Sequence, residues 1–392
     1  MKKHLLKFYP VDNGDCTLIT LHDGTTILID CKIREKTETE AGNVVFPVKS
    51  DLVKSLKTNS DGAPYVDVFI LTHPDQDHCL GFSNHFYNGK SPSNYKDKNK
   101  ENEEIIIHDL WCTSMLFNEA TNDDAKALKK EAERRRKLWR DDDHAKNQDG
   151  NRIRMIGYDG DNKFEKLPAS VPGDVLSIEN INPKSTDKVF EFFVHSPFKD
   201  NLVQATAQSD KNFSSIAMQA RFKINSFDSQ FVGLFLFGGD ADHNIWKTVL
   251  DKSTKHDNLD KLEWDIFLAP HHCSWTYFND VPYEDKEDNK VPKESSLEIL
   301  DYKRPRGRII ASSKAVRSTD KNPPHAQAKT EYQKKLDNNK RFVELALVPS
   351  EKEPKPTVYE ISATGIIDVR VATAGKIAST SVMSGNWSSG ES

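Results

Sequence analysis

The stretch Val66-Asp-Val-Phe-Ile-Leu-Thr-His-Pro-Asp-Gln-Asp-His78 joins an apolar run to a cluster of side chains that commonly bind metals. The run from 66 to 71 is typical of a buried strand. The potential ligands that follow it are His73, Asp75, Asp77 and His78. Imidazole suits zinc and carboxylates suit harder ions, so the mixture favours Zn²⁺ or Mn²⁺ over a soft thiolate site. The stretch therefore predicts a strand that delivers metal ligands to a turn; the alternative is a loop whose charged groups are only solvated.

The composition sets broad limits. The chain has 392 residues and a formal net charge of −5, which is enough length for one large domain or two and gives no global charge signature for nucleic acid. Five cysteines without a Cys-x-x-Cys pair argue against a disulfide framework or a structural zinc site. We expect a soluble, cytoplasmic protein, because no apolar stretch resembles a signal peptide or a membrane span.

The hydrophobic pattern predicts an α/β protein. Residues 4 to 31 read as a three-strand meander with turns at Gly14 and Gly24. Further strands are expected at 66–71, 105–111, 175–178, 190–194, 215–222, 231–237, 264–268, 308–311, 342–348 and 357–371, and helices at 51–57, 124–139, 244–250 and 327–336. Two halves that each carry a sheet and outer helices imply an αββα four-layer sandwich with the site at the edge between the sheets.

We expect residues 1–374 to form a single domain, with a charged, helical insertion at 86–165 and a flexible C-terminal tail at 375–392. The insertion contains a Lys- and Arg-rich run at 129–137, for which a solvated helix face is favoured over phosphate binding because acids are interleaved. The insertion is also the expected contact for a protein partner, if one exists.

Two further strand ends carry candidate ligands. Asp240 follows an apolar run and a diglycine, so it projects beyond the sheet edge, where a carboxylate can bridge two ions. The pair His271-His272 follows the run 264–268 in the same way. We expect His73, Asp75 and Asp240 to bind one divalent ion, and Asp77, His78, His272 and the shared Asp240 to bind the other. Which of His271 and His272 is the ligand stays open, and His272 is preferred because it lies farther past the strand. A hydroxide that bridges the two ions would be the nucleophile, and His271 would contact the substrate or protonate the leaving oxygen.

At these positions the chain resembles the metallo-β-lactamase superfamily, and within it the ComEC-type branch of DNA-uptake nuclease domains. The segments that carry the resemblance are 11–19, 28–30, 71–78, 237–240 and 269–274. Asp75 stands where the superfamily usually has a second histidine, and Asn212 stands where it usually has its third-motif histidine. Both departures are similar to branches that hydrolyse phosphodiesters. The resemblance therefore implies a metallo-β-lactamase-type fold and a phosphodiesterase, with nuclease activity on DNA or RNA as the leading form, and Asp77, Asp240 and His271 as its catalytic residues.

Other residues are weaker candidates for supporting the metals or touching the substrate. From its spacing, Asp30 is equally well an ordinary turn carboxylate or the partner of a metal-binding histidine, and the resemblance favours the second. Asp15 has the same standing. The remaining candidates are His195, Asn212, Ser312, Ser313 and His325. A satisfied imidazole is as good an interpretation of His195 and His325 as substrate contact is.

Two other functions stay open at this level. One keeps the metals but changes the bond, to an ester, a lactone or a cyclic nucleotide. The other is a partner-gated effector subunit of a phage-defence-type system. The sequence does not decide between them, because a fold does not determine a function.

Overall fold

Two β-sheets form the centre of the computed structural model, which describes residues 2–157, 164, 166–208, 210–279, 281 and 291–369. The predicted tail at 375–392 lies outside the described residues. The strands are β1 His4–Phe8, β2 Thr17–Thr20, β3 Thr26–Ile29, β4 Cys31–Lys32, β5 Lys57–Thr58, β6 Pro64–Ile70, β7 Ile106–Cys112, β8 Arg152–Ile156, β9 Ala169–Ser170, β10 Val175–Ser177, β11 Phe190–Ser196, β12 Ala217–Phe222, β13 Gly233–Phe237, β14 Trp264–Leu268, β15 Lys303–Ala311, β16 Phe342–Glu344, β17 Thr357–Ser362 and β18 Gly365–Asp368.

The helices are mostly short. They are α1 Val48–Ser55, α2 Gln76–Cys79, α3 Phe82–His85, α4 Asp97–Glu101, α5 Met115–Asn118, α6 Asp123–Arg140, α7 Ile178–Ile181, α8 Lys199–Gln208, α9 His243–Lys255, α10 Pro270–Cys273, α11 Glu294–Asp301 and α12 Ala326–Lys334. Among the described residues, no helix combines the length and the apolar character that crossing a membrane requires.

The larger sheet has the order β18-β17-β1-β2-β3-β6-β7-β8-β9, with β5 beside β6, and the smaller sheet has the order β10-β11-β12-β13-β14-β15-β16. The predicted meander is confirmed, because β1, β2 and β3 are antiparallel neighbours. From β3 through β6, β7 and β8 the large sheet is parallel, and so is the small sheet from β13 to β16.

The sheets pack face to face over one apolar core. Phe8 and Ile70 contribute to it from the large sheet, and Phe235 and Phe237 contribute from the small sheet. The rings of Phe8 and Phe235 lie 5.4 Å apart, edge to face. Separate apolar clusters join helices, α6 among them, to the outer face of the large sheet, and α9, α11 and α12 to that of the small sheet. The predicted α/β sandwich is therefore confirmed.

Part of segment 86–165 belongs to the sheet itself. Strands β7 and β8 extend the parallel part of the large sheet, and α6 packs on its outer face through Ala125, Leu128 and Ala132. Even Arg135 on this helix is only 1% exposed, because its guanidinium donates to the carbonyls of Ile107 and Arg152. Only the stretches outside these elements can be an insertion.

Candidate metal centre

Five loops that follow parallel strands meet at one edge of the sandwich. In the large sheet the loops follow β3 and β6, and in the small sheet they follow β13, β14 and β15. Polar residues placed directly after such strands share the carboxyl edge of their sheet, where α/β proteins commonly build their sites. The residues brought together in this way are Asp30, His73, Asp75, Asp77, His78, Asp240, His271, His272 and Ser312.

Unusual backbone shapes the loops of the small sheet. His271, His272 and Cys273 have φ values of 49°, 54° and 66°, in the left-handed region that is strained for residues with a Cβ atom and that is found most often at functional sites. Gly239 also has a positive φ, and a Cβ atom there would lie 2.7 Å from Oγ1 of Thr72. The amide of His271 donates to the carbonyl of Gly239 at 3.1 Å. The loops after β13 and β14 are thereby fixed to each other and against the loop after β6.

Asp30 orients two histidines of the large sheet. It is fully buried and lies 2.7 Å from Nδ1 of His78, which donates to it. It also accepts from the amide of Thr72 at 2.7 Å and from its hydroxyl at 2.6 Å. Since that hydroxyl uses its proton on Asp30, its oxygen accepts from Nδ1 of His73 at 3.2 Å. Both rings then carry a proton on Nδ1, and Nε2 is the atom available to bind a metal.

The two histidines of the small sheet are held in the same way. Nδ1 of His271 lies 3.2 Å from the hydroxyl of Thr276, and Nδ1 of His272 lies 3.1 Å from the carbonyl of Ser312. The amide of Gly14 is equally close to this second nitrogen, so the two contacts compete. A ring that binds a metal through Nε2 carries its proton on Nδ1, and in that state the carbonyl contact is the one that forms.

All four Nε2 atoms face the carboxylate of Asp240. Oδ2 of Asp240 lies 3.7 Å from Nε2 of His73 and 3.6 Å from that of His271. Oδ1 lies 3.1 Å from Nε2 of His78 and 3.5 Å from that of His272. One carboxylate therefore stands between two pairs of imidazoles, with one oxygen for each pair.

A further aspartate accompanies each pair. Oδ2 of Asp75 lies 3.5 Å from Nε2 of His73, and Oδ2 of Asp77 lies 3.1 Å from Nε2 of His272. We call His73, Asp75, His271 and Oδ2 of Asp240 the first group, and Asp77, His78, His272 and Oδ1 of Asp240 the second group.

The chemistry of these atoms fits a cation. Nε2 of His73, Nε2 of His78 and Oδ1 of Asp240 are buried and have no hydrogen-bond partner of suitable geometry. Buried polar atoms are normally paired, and where they are not, a bound ion is one explanation. Asp15, His78, Asp240 and His272 are all buried and each offers a ligand atom within 4.8 Å of the others, so this set can hold a metal ion.

Electrostatics point the same way. Burial alone would raise the pKa of Asp240, but the four imidazoles around it, in their protonated and positively charged state, hold that pKa well below its usual range. Burial likewise opposes ionisation of Asp75, yet His73 and Lys211 lower its pKa to about 2. Burial raises the pKa of Asp15 to about 6 against the pull of the imidazoles. Clustered carboxylates of this kind are costly to bury unless cations compensate them.

Four further predicted residues make contacts outside the two groups. His195 is buried away from the two groups, with its Nε2 2.9 Å from the carbonyl of Lys261. His325 accepts from the amide of Trp275 through Nδ1 at 2.9 Å, and its Nε2 lies 3.1 Å from the carbonyl of Lys321, so it supports the loop after His272. The hydroxyl of Ser313 donates to its neighbour's carbonyl at 2.8 Å. The backbone N–H of Asn212 donates to Oδ1 of Asp210 at 3.0 Å.

Two residues of the site were not predicted. Thr72 connects Asp30 to His73, as described above. Lys211, the neighbour of Asn212, places Nζ 2.7 Å from Oδ1 of Asp75 and 2.9 Å from the hydroxyl of Thr121. No pattern in the sequence marks either residue, because each acts through a contact that only the folded chain creates.

Comparison of the sequence with protein-family models and with curated proteins gives no match. The interpretation of the site therefore depends on its geometry.

Proposed function

We propose that the two groups form a dinuclear metal centre and that the protein is a metal-dependent hydrolase of phosphodiesters, acting as a nuclease. The observation that carries the proposal is the position of Asp240, whose two oxygens each face a separate pair of Nε2 atoms. A carboxylate so placed is suited to bridge two divalent ions. As part of the same proposal, we assign the sandwich to a metallo-β-lactamase-type fold, because its site lies at the edge of the sheets.

The donor set suggests Zn²⁺ or Mn²⁺. Each group offers two imidazoles and two carboxylates, a mixture that both ions accept. Two such ions would supply an activated water and would stabilise the negative charge that develops on a phosphodiester during hydrolysis. In this arrangement His271 is the fourth member of the first group. The sequence suggests His271 as a proton donor to the leaving group. We propose it as a metal ligand instead, because its Nε2 faces Asp240 and its Nδ1 faces Thr276.

The two groups are unequal. In the second group, the side chains of His78 and His272 are 0% and 3% exposed, and Nδ1 of His78 donates to the carboxylate of Asp30. In the first group, the side chain of His271 is 26% exposed. Nδ1 of His73 and Nδ1 of His271 each contact a neutral hydroxyl, that of Thr72 and that of Thr276. Carboxylate partners raise the basicity of a metal-binding imidazole. We therefore assign the tighter ion to the second group and the more accessible one to the first.

Lys211 supports a phosphodiester as the substrate. Its ammonium lies 2.7 Å from Oδ1 of Asp75 in the first group, whose His271 is 26% exposed. An ammonium has three N–H donors, so Lys211 can retain its ion pair with Asp75 and also donate a hydrogen bond to an anionic oxygen of the substrate. A neutral lactone or ester offers no anion of this kind to bind.

The test begins with metal content, measured by mass spectrometry on the full chain before and after chelation. Metal-free protein is then reloaded with Zn²⁺ or Mn²⁺ and assayed on bis(p-nitrophenyl) phosphate, single-stranded DNA, duplex DNA, RNA and a p-nitrophenyl ester. We expect turnover of the diesters only with metal. Asp240→Asn should abolish it, whereas the control Asp265→Asn, which alters a carboxylate that contacts the amide of Leu234, should not. Protein that holds two ions and cleaves esters but no diester would overturn the proposal in favour of acyl chemistry.

A further inference from the structure

Two adjoining cavities lie along α9, the helix that follows the loop of Asp240, and together they form a polar groove. This helix begins three residues after Asp240, and its residues Asn244, Lys247, Thr248 and Lys252 line the two cavities. His256, just past the end of the helix, lines the outer one. At 1.5 Å per residue, the path from position 244 to position 256 is about 18 Å long.

The inner cavity has a volume of about 670 Å³ and lies between α8 and α9. Lys199, Lys247 and Lys252 border it, against the single carboxylate of Asp200. Lys247 also pairs with Asp251 at 2.5 Å, but both side chains are more than half exposed, so that pair is weak and leaves the ammonium available. The lining of the inner cavity therefore carries more ammonium groups than carboxylates.

One 3₁₀ turn, Lys211–Ser214, contributes residues to both the metal centre and the inner cavity. Phe213 lines this cavity, and Lys211, two residues earlier on the same 3₁₀ turn, pairs with Asp75 of the first group. The lining of the inner cavity therefore begins two residues from a contact with the first group.

The outer cavity has a volume of about 450 Å³ and shares Phe198 and Lys252 with the inner one. Nζ of Lys252 lies 5.9 Å from the centre of the Phe198 ring. Phe193 and His195 are also part of the lining, with their rings 4.9 Å apart. Each cavity thus combines an aromatic wall with an ammonium group.

His195 gives the outer cavity a specific polar group. It is only 3% exposed, and its Nε2–H donates to the carbonyl of Lys261, which leaves Nδ1 as an acceptor. Burial lowers the pKa of His195 to about 4, so the ring is neutral at pH 7. A neutral acceptor beside aromatic rings suits the amino or imino group of a nucleobase.

We propose that this groove binds single-stranded polynucleotide and leads it to the metal centre. The inference rests on the proposed function and extends it by naming the substrate class. Proteins that hold single strands combine a cationic groove with aromatic side chains on which bases stack, and the groove supplies both over a length of several nucleotides. The Lys- and Arg-rich helix α6 has no part in this binding.

The experiment measures binding separately from cleavage. A fluorescein-labelled single-stranded oligodeoxynucleotide of about ten residues is titrated with the chelated full chain, and anisotropy gives Kd at several salt concentrations. The variants are Lys252→Glu and Phe198→Ala. The matched control is Lys137→Glu on α6, because Lys137 and Lys252 are both exposed lysines in the last turn of a helix.

We expect Lys252→Glu to weaken binding about ten-fold and to reduce the salt slope by about 0.7, which is one phosphate contact. Phe198→Ala should weaken binding about five-fold or more through lost stacking. Lys137→Glu should change neither quantity. Both groove variants should retain the turnover of bis(p-nitrophenyl) phosphate that the wild-type protein shows.

The outcomes separate the two proposals. Unchanged oligonucleotide affinity in both groove variants, or equal loss in Lys137→Glu, would overturn the groove while leaving the phosphodiesterase intact. Equal affinity for duplex DNA or for a mononucleotide would also overturn it, because neither ligand needs a single-strand groove. If the groove variants weaken binding but the wild-type protein cleaves no diester, the groove proposal stands and the proposed hydrolase function is wrong.

Discussion

Replacing Asp30 by asparagine tests the arrangement that holds the histidines of the proposed metal centre. The carboxylate is fully buried and accepts three hydrogen bonds, from the amide and hydroxyl of Thr72 and from Nδ1 of His78. An asparagine has the same shape, but only one of its two terminal atoms can accept. If the amide oxygen takes the place of Oδ1, the NH₂ group meets both the hydroxyl of Thr72 and the ring N–H of His78.

The magnitude follows from those contacts. Leaving a buried donor unpaired costs about 1–3 kcal/mol, so Asp30→Asn should lower the free energy of unfolding by roughly 2–4 kcal/mol. The loss also frees the ring of His78 to rotate or to change tautomer. Removing such an outer partner of a metal-binding histidine typically costs about 10–100-fold in metal affinity. We expect a loss of this size for the ion at the second group.

A matched control separates the metal effect from simple destabilisation. Asp67 is also buried, accepts from the amide and hydroxyl of Thr26 at 2.8 and 3.1 Å, and has Nδ1 of His108 at 3.7 Å, but it lies in the middle of β6. Urea unfolding measures stability, and competition with a chromophoric chelator measures metal affinity. Asp67→Asn should lower stability with little change in metal affinity. Wild-type metal affinity in Asp30→Asn, or an equal fall in both variants, would refute the reasoning.

Further predictions concern the rest of the site and its surroundings. Gly239→Ala should lower the urea midpoint markedly, because its Cβ would lie 2.7 Å from the hydroxyl of Thr72 on a backbone with φ of 49°; an unchanged midpoint would contradict this contact. Lys211→Met should raise KM for a diester roughly ten-fold while Lys211→Arg retains it, since a charge-assisted hydrogen bond contributes about 1.5–3 kcal/mol; equal KM values would argue against substrate contact. The free energy of unfolding should fall as the pH falls from about 6.5 to about 4, because of His195. Its pKa is lowered to about 4 in the folded protein, so the unfolded chain takes up the proton first. That loss reaches about 3 kcal/mol, and His195→Gln should flatten the dependence of unfolding free energy on pH.

The sequence predicted the elements that combine a clear hydrophobic period with a turn signal. Strand β14 has the predicted bounds Trp264–Leu268, and β6 differs only at its ends. Where two signals compete, the prediction fails locally. A strand was expected over 342–348, but β16 ends at Glu344 because Leu345–Leu347 form a 3₁₀ turn that leads into Val348 and Pro349. An apolar run alone does not distinguish a strand from such a turn.

Most of the site was predictable for a related reason. Its ligands directly follow apolar strands, so local sequence marks both the strand and the ligand. The position of His271 was not predictable, because the left-handed backbone at 271–273 turns both imidazoles toward Asp240. Residue spacing along a chain gives no information on such a change of direction.

Lys211 shows what kind of feature stays hidden. It lies 136 positions from Asp75 along the chain and is carried by a short polar turn with no hydrophobic period. Yet it is physically linked to the residue that the sequence singles out. Asp75 has one oxygen near Nε2 of His73 and the other paired with Nζ of Lys211. A histidine at position 75 would offer a single lone pair to a metal and would turn an N–H, or a positive charge, toward the ammonium. The aspartate is therefore what allows a cation to stand beside the first group. Under the proposed function an anionic substrate oxygen would benefit from that cation, so the exchange of histidine for aspartate would favour phosphodiesters over neutral lactones.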